Sequence, residues 1–466
     1  MTFFKRFFNK SKKVTRSASP MLARFDAAQT TKENAAHWSM ATGYDADTEA
    51  SPTVRSIIRR RARYESANNS SLRGMISKHA NDVIGTGPRL QLSSENQIMN
   101  HDIEADFLAW SKEINLGRKL RIAVMAEARD GEAFLMLIYN KKLNTKIKLD
   151  IRVLEADRIR GDYQTMSNDD EVDGIFYDEI GNPIEYNVMP HPGGNDFSVE
   201  GKRVPADYMI HLFSEERPEQ HRGVSMLTSA LPAFAMLRRY TLAMIKKMES
   251  SANIAGVIQT NELADEIEPD ALGQDAFEPF SLPRDGYAAL PRGYNLKDHM
   301  TNNPLESQNS FAEQVKIDSG QTLNLPKNAA LGDSSSYNYA SGQLDFQAYK
   351  KYLTIEQADI ANIALAKIMK LWFREYWPQQ IKYRRDDYLV LSWFWDGTGH
   401  VNPLVEANAQ KQRLDNKSTN LAIECASQGR DWEDVQDQRL KEEFREIRKR
   451  KEMGLPPKTT ESDYEY

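Results

Sequence analysis

Cysteine is almost missing: Cys425 is the only one in 466 residues. No internal disulfide and no cysteine-based metal site can form, which accords with folding in a reducing compartment. The eight histidines (His37, His79, His101, His191, His211, His221, His299 and His400) stand singly, with no His-Glu-x-x-His frame to carry zinc on a helix. There is no Gly-x-Ser-x-Gly elbow for a hydrolase. The nearest approach to a phosphate loop, Gly194 to Arg203, has Asp196 in place of a glycine and Arg203 where a magnesium-binding hydroxyl is needed. Gly85-Thr-Gly87 lacks the third glycine of a dinucleotide loop and reads as a turn. Asp169-Asp170-Glu171 reads as a solvated turn rather than a nuclease metal site. These gaps leave no enzyme class supported and no cofactor implied. Long apolar runs are missing too: no window of ~18 residues is free of charge, so no membrane span is expected.

What is present is an ordinary globular balance, 27% charged and 40% hydrophobic, with 67 acids against 61 bases and a net charge of −6. That balance argues against a protein that grips nucleic acid over its whole surface. The length calls for two to four domains, about one per 100–200 residues. Charge is unevenly spread. The first 25 residues carry Lys5, Arg6, Lys10, Lys12, Lys13, Arg16 and Arg24 with no acid, interleaved with Phe3, Phe4, Phe7 and Phe8. They read as a flexible basic arm, and they lack the uninterrupted apolar core of a signal peptide. Residues 262–285 hold eight acids, among them Glu262, Asp265, Glu266, Glu268 and Asp270, against the single base Arg284.

The chain is organised around residues 223–255, which read as one long helical segment with Val224, Leu227, Leu231, Phe234, Leu237, Leu242, Ile245 and Met248 at helical spacing. Pro232 divides it, so the straight part should start there and run to about Ala252, a rod of roughly 30 Å. The basic pairs Arg238-Arg239 and Lys246-Lys247 should lie off the apolar stripe. Before the rod, helices are expected from Thr53 (Val54, Ile57, Ile58 and Ala62 inward), from Leu72 to Val83, from Ile103 to Ile114 (Phe107, Leu108 and Trp110 inward) and from Leu120 to Asp130. Strands follow at 89–92, 133–139, 147–154, 174–186 and 208–213. After the rod come a strand at 256–259, a hairpin near 287–294 and a helix from Pro304 to about Ile317. Gly320 to Ser341 reads as an exposed loop. A second long helix spans Gly342 to Trp372, with Leu344, Phe346, Tyr349, Leu353, Ile355, Ile360, Ile363 and Ile368 inward. A strand at 388–395 and charged helices over 403–453 complete an α+β chain.

The punctuating segments Arg59-Arg-Arg-Ala-Arg63, Asn68-Asn69, Val83-Ile-Gly-Thr-Gly87, Asp130-Gly-Glu-Ala133, Leu154-Glu-Ala-Asp-Arg158, Asp173-Gly-Ile175, Tyr186 and Arg217-Pro-Glu-Gln-His-Arg-Gly-Val224 occur in an order that resembles the lambda-type portal proteins of tailed bacteriophages. The resemblance covers about residues 50–455. Asn338-Tyr-Ala-Ser341 departs from the family's Asn-Tyr-Ser-Ser, and Gln343 stands where an arginine is usual.

The resemblance implies a portal fold. Residues 1–49 would be a basic arm and linker, 50–222 the first part of a mixed α/β wing, 223–253 the first stem helix and 254–303 a small clip with strands. Residues 304–319 would form the second stem helix, 320–341 a tunnel loop, 342–400 the long helix and remaining wing, and 401–466 a helical crown and tail. It implies a ring of about twelve copies at one capsid vertex of the virion, assembled in the host cytoplasm. Double-stranded DNA would pass through it without sequence readout, driven by the terminase large subunit, and leave again at ejection. Other partners would be the major capsid, scaffold and head-completion or adaptor proteins. Lys327, the only charge between Asp318 and Asp333, is a candidate phosphate contact. Arg238, Arg239, Lys246 and Lys247 would face the bore or, by preference, pair with neighbouring subunits. The acids Glu262, Asp265, Glu266, Glu268 and Asp270 would face the motor or adaptor. Two alternatives stand beside this reading: a nuclease or packaging ATPase, and a ring-forming head adaptor or minor capsid protein that never carries DNA.

Overall fold

The computed structural model describes residues 32, 35–94, 96–161, 171–190, 201–253, 257–260, 294–297, 305–335, 338–379, 390–397 and 403–456. A short helix α1 (Ala46–Glu49) leads into α2 (Pro52–Asn68) and α3 (Ser70–Ile84). Asn69 separates α2 from α3, and its side chain accepts from the Ser71 and Leu72 amides, capping the new helix while ending the old one. Then come β1 (Arg89–Ser93), α4 (Gln97–Glu113) and α5 (Leu116–Asp130). Gly131, left-handed at φ 94°, stops α5 and turns the chain directly into β2 (Glu132–Tyr139). That strand is buried along most of its length, which explains its unbroken Ala-Phe-Leu-Met-Leu-Ile run.

β3 (Leu149–Leu154), β4 (Glu171–Val172), β5 (Ile175–Tyr177), β6 (Pro183–Val188), β7 (Lys202–Pro205) and β8 (Met209–Phe213) form two small antiparallel sheets, ordered β3-β2-β8 and β4-β5-β6-β7. Phe134 stands opposite Leu154 on one side and His211 on the other. Between the sheets lies a small core of Phe134, Leu154, Ile175, Tyr186, Val188 and Met209. The larger core joins α3, α4, α5 and the far side of β2 to later helices through Trp110, Phe107 and Trp372. Burying each such ring is worth about 2–3 kcal/mol. Trp110 also donates Nε1–H to the Leu149 carbonyl at 2.7 Å, so its polar edge is satisfied.

The rod is helix α6 (Leu231–Asn253), with Pro232 in its first turn as expected. Residues 223–230 are turns rather than helix, because Gly223 to Ser225 are drawn against Gly131 by the packing described below. β9 (Val257–Thr260) pairs antiparallel with β10 (Tyr294–Lys297). The hairpin expected near 287–294 lies, apart from Tyr294, outside the described residues. α7 (Leu305–Gln321) returns beside α6, with Phe311 edge-on to Tyr240 at 5.5 Å.

The expected loop at 320–341 is corrected by the structure. It folds into a turn and α8 (Lys327–Leu331), with Leu323, Leu325 and Ala330 buried in the main core. The segment's few apolar residues suffice to dock it. The second long helix is α9 (Tyr339–Ile360), one π turn at Ala361–Leu365, and α10 (Ala366–Tyr376). Tyr349 donates to Asp82 at 2.9 Å, and Glu375 accepts the Lys148 and Leu149 amides, tying it to α3 and β3. Leu344, Ile355 and Ile363, expected inward, are exposed, as is Leu108 on α4. β11 (Val390–Phe394) pairs with β1, Leu90 opposite Trp393. The chain ends in α11 (Pro403–Asp415), α12 (Leu421–Ser427) and α13 (Trp432–Glu452). Among the described residues, no helix is long and apolar enough to cross a membrane.

Candidate functional site

The segments that punctuate the sequence meet in one place, a buried ionic junction at the root of the rod. On α2, Arg55, Arg59 and Arg63 recur every four residues and therefore share a face. That face packs inward alongside part of the expected one: Ala62 is fully buried and Ile58 packs against the main core. Arg55 and Arg59 are buried, whereas Val54 is exposed. A rule that sends only hydrophobic residues inward misses these arginines, which go inward because they meet buried carboxylates.

Glu132, the first residue of β2, is 0% exposed. Arg222 grips it bidentately, Nε at 2.8 Å and Nη2 at 2.6 Å. Arg59 adds Nη2 at 3.1 Å, and His211 donates from Nε2 at 3.0 Å. The His211 ring is stacked between Phe134 and Phe213 at 4.3 and 4.4 Å. Burial favours protonation of Glu132, yet Arg222 and the hydrogen bond from His211 outweigh it and hold the carboxyl well below its ordinary value. Burial likewise pushes His211 down, so the ring is neutral and acts as a donor through one nitrogen.

Three further carboxylates complete the junction. Asp157, on a 3-10 turn (Ala156–Arg158), bridges Arg59 at 2.6 Å and Arg63 at 2.5 Å. Asp130 takes Arg63 in a fork, at 3.0 and 2.9 Å. Asp173 accepts Arg55 at 2.5 Å and Arg222 at 3.0 Å. Asp173-Gly174 joins β4 to β5 with both residues at positive φ, the tight turn expected of an Asp-Gly pair. Arg129 grips Asp130 as well, at 2.9 and 3.1 Å, so five arginines face four acids and every carboxylate of the cluster is paired. Saturated this way, Glu132 has neither the water access nor the poised proton of a general acid. It works as a clamp.

The clamp fixes the rod's direction. Gly223 and Gly131 approach so closely that a Cβ on Gly131 would meet the Val224 backbone at 2.6 Å. The chain then turns into α6, whose first turns bury Leu231, Phe234 and Leu237. Arg238 reaches back to Glu65 of α2 at 2.9 Å and lies over the Tyr64 ring at 5.0 Å. Met236 before it, and Leu242 and Ile245 beyond it, are exposed at 65%, 55% and 46%, whereas Met244 between them is buried.

Of the residues singled out from sequence, Arg238 is thus engaged within its own chain. Arg239, Lys246 and Lys247 are exposed on α6. Lys327 begins α8 and is half-buried, not at the tip of an open loop. Glu262, Asp265, Glu266, Glu268 and Asp270 lie outside the described residues. Sequence reasoning missed Arg55, Glu132 and Arg222 as a unit. The signal was there in Glu132, an acid placed directly before a wholly apolar strand.

These features define a mixed α+β subunit with a charge-locked body and a projecting, partly uncovered helix. The sequence profile of the family described as "Phage portal protein, lambda family" matches residues 31–357. The chain belongs to that family. Three solved particle structures also align with it. "Neck of empty GTA particle computed with C6 symmetry" aligns at 14% identity and TM-score 0.46, covering 87% of this chain and 94% of the other. "Neck of native GTA particle computed with C12 symmetry" gives 13% and 0.46 over 87% and 95%. "Virion of native gene transfer agent (GTA) particle" gives 13% and 0.44 over 87% and 94%. No curated protein matches the sequence.

Proposed function

We propose that this chain assembles into a ring of about twelve copies at one vertex of a phage capsid, and that double-stranded DNA passes through it during packaging and ejection. Family membership supports the reading, and the observation that carries it is the rod. Helix α6 leaves the body, α7 returns beside it, and among the described residues Leu242 and Ile245 are left 55% and 46% exposed. A neighbouring copy would cover them. Helices ~10 Å apart, about twelve to a ring, give a circumference of roughly 120 Å and an axial diameter near 38 Å. Removing about one helix diameter (~10 Å) leaves a bore of about 28 Å, enough for a B-form duplex.

In this reading α6 and α7 are the two stem helices, residues 254–303 the clip, the sheets the wing, and α11 to α13 the crown. Arg239, Lys246 and Lys247 pair with the adjacent copy or line the bore, and Lys327 makes a transient phosphate contact. The acids Glu262, Asp265, Glu266, Glu268 and Asp270 would meet the terminase large subunit and later the head-completion proteins, while the wing and crown meet capsid and scaffold. The protein acts as a conduit without catalysis of its own, in the virion, after assembly in the host cytoplasm. Few firm phosphate contacts suit a conduit, since each would add salt-sensitive affinity and brake sliding. Negative-stain imaging of the purified protein is the test. Rings with an axial hole wide enough for a duplex are expected, and monomers only, or particles closed on their axis, would refute the reading.

A further inference from the structure

The C-terminal helices are fastened to the body at two places. The first is a joint of bare backbone between Gly397, just past β11, and the turn from α12 to α13. Gly429 in that turn is left-handed at φ 69°. A Cβ on Gly397 would strike the Gln428 backbone, and one on Gly429 would meet the Gly397 amide at 2.7 Å. Asp396 ties the same strand end to the body, accepting from the Thr86 hydroxyl at 2.6 Å. The second place is a seat, where the start of α13 faces α4 and β1. A hollow of about 150 Å3 lies there over Phe107 and Phe394, lined also by Arg89, His101, Glu104, Asp431 and Asp434.

Acids crowd this seat. Glu104 is half-buried on α4, and its Oε1 accepts the Leu92 amide at 2.5 Å. Asp431 and Glu433 oppose its ionisation from across the hollow, whereas His101, one turn earlier on α4, favours it. Burial and Asp431 act on Glu433 in the same sense, again against His101. From the other elements, β1 brings the exposed Arg89, β11 brings Phe394, and α5 brings no charge to the described lining. Glu104, Asp431, Glu433 and Asp434 thus gather around one histidine and one arginine. Like charges over an apolar floor repel more strongly than in water. We infer that the seat of α13 on α4 is a proton-held latch, shut while Glu104 carries a proton and loosened when it ionises, with the glycine joint as pivot. Burial, then the two acids of α13, push Glu104 up to about 7 from its ordinary 4.5. The latch therefore holds in full below about 4.5 and is lost as pH rises through about 7.

Cys425, the only thiol in the chain, reports on the latch. It is buried on α12, and its carbonyl accepts the Arg430 amide at 2.9 Å, directly before Asp431. The full chain is treated with dithiodipyridine, an uncharged disulfide, and each rate is divided by that of the chain in denaturant at the same pH. The ratio removes the ionisation of the thiol itself. Protection should fall about tenfold between about pH 6 and 8, as one proton released on opening requires. Glu104→Gln keeps the oxygen that accepts from Leu92, so its protection should change by no more than about twofold over that range. An unchanged melting temperature at about pH 6 will show that this variant folds. Asp431→Asn keeps a capping oxygen and should shrink the fall without abolishing it. Level protection in the unaltered chain, or the same slope in Glu104→Gln, would overturn the latch. So would Glu127→Gln flattening the slope as far as Glu104→Gln, since the thiol would then be exposed by opening of the whole fold.

Discussion

Single side chains decide how the body holds together, and Glu132 is the most exacting of them. Removing it strands Arg222 and Arg59 in a buried site with one acid partner fewer each. Glu132→Ala should therefore cost about 3–5 kcal/mol in a denaturant titration, the penalty of unpairing buried charge. Acid should loosen the same site. The Glu132 carboxyl is held below its ordinary 4.5, so its stabilisation is full above that pH and is lost as pH falls through the lower, folded value. Other carboxyls act in the opposite sense. Burial, then Glu356 and Asp359, push Glu127 up to about 8. Burial, with Asp431 and Glu433 nearby, outweighs the Leu92 amide bond and takes Glu104 to about 7. These two hold protons in the fold that the unfolded chain releases near 4.5. Stability should thus decline as pH rises from about 5 to 8, and Glu127→Gln should flatten the melting temperature over that window. Little of this was legible in advance. Periodicity reported that α2 is a helix, but assigning its inner face required knowing that Asp130, Glu132, Asp157 and Asp173 would gather opposite it. Those acids are up to 118 residues away from their partners, and no local pattern encodes such a meeting.

At the scale of elements, long periodic stretches were the readable ones. The rod, its proline start, the second long helix and the charged C-terminal helices stand where spacing placed them. The segment around α8 was misread because Gly, Asn and Ser dominate its composition, while only Leu323, Leu325 and Ala330 decide its packing. What aims the rod is a backbone contact rather than a side chain. Gly131 is left-handed at φ 94° and pressed against Val224, whereas Gly181, at φ 87°, faces open space. Gly131→Ala and Gly181→Ala both incur the conformational penalty, of order 1 kcal/mol. Only the first also forces the β2 start away from the root of α6. Its loss of melting temperature should be at least about twice as large, and limited proteolysis should expose the 223–230 turns.

For the whole molecule, the question is what covers the outer half of α6. Leu242→Asp with Ile245→Asp places charge at positions that one copy leaves about half exposed, so the isolated subunit should lose no more than about 1–2 kcal/mol. Rings should disappear, since a buried, unpaired carboxylate repeated at every contact opposes closure. Size-exclusion chromatography with light scattering reads the difference, and full-size rings from the double variant would remove the rod from the subunit contact. The same bare stretch has a consequence in time. If the proposed ring forms, a copy just released from the ribosome would show greasy side chains to solvent until its companions arrive. In the proposed assembly, the exposed Arg239, Lys246 and Lys247 of the same helix would act as gatekeepers meanwhile, keeping solitary chains apart by like-charge repulsion when dilute and yielding once crowding favours closure.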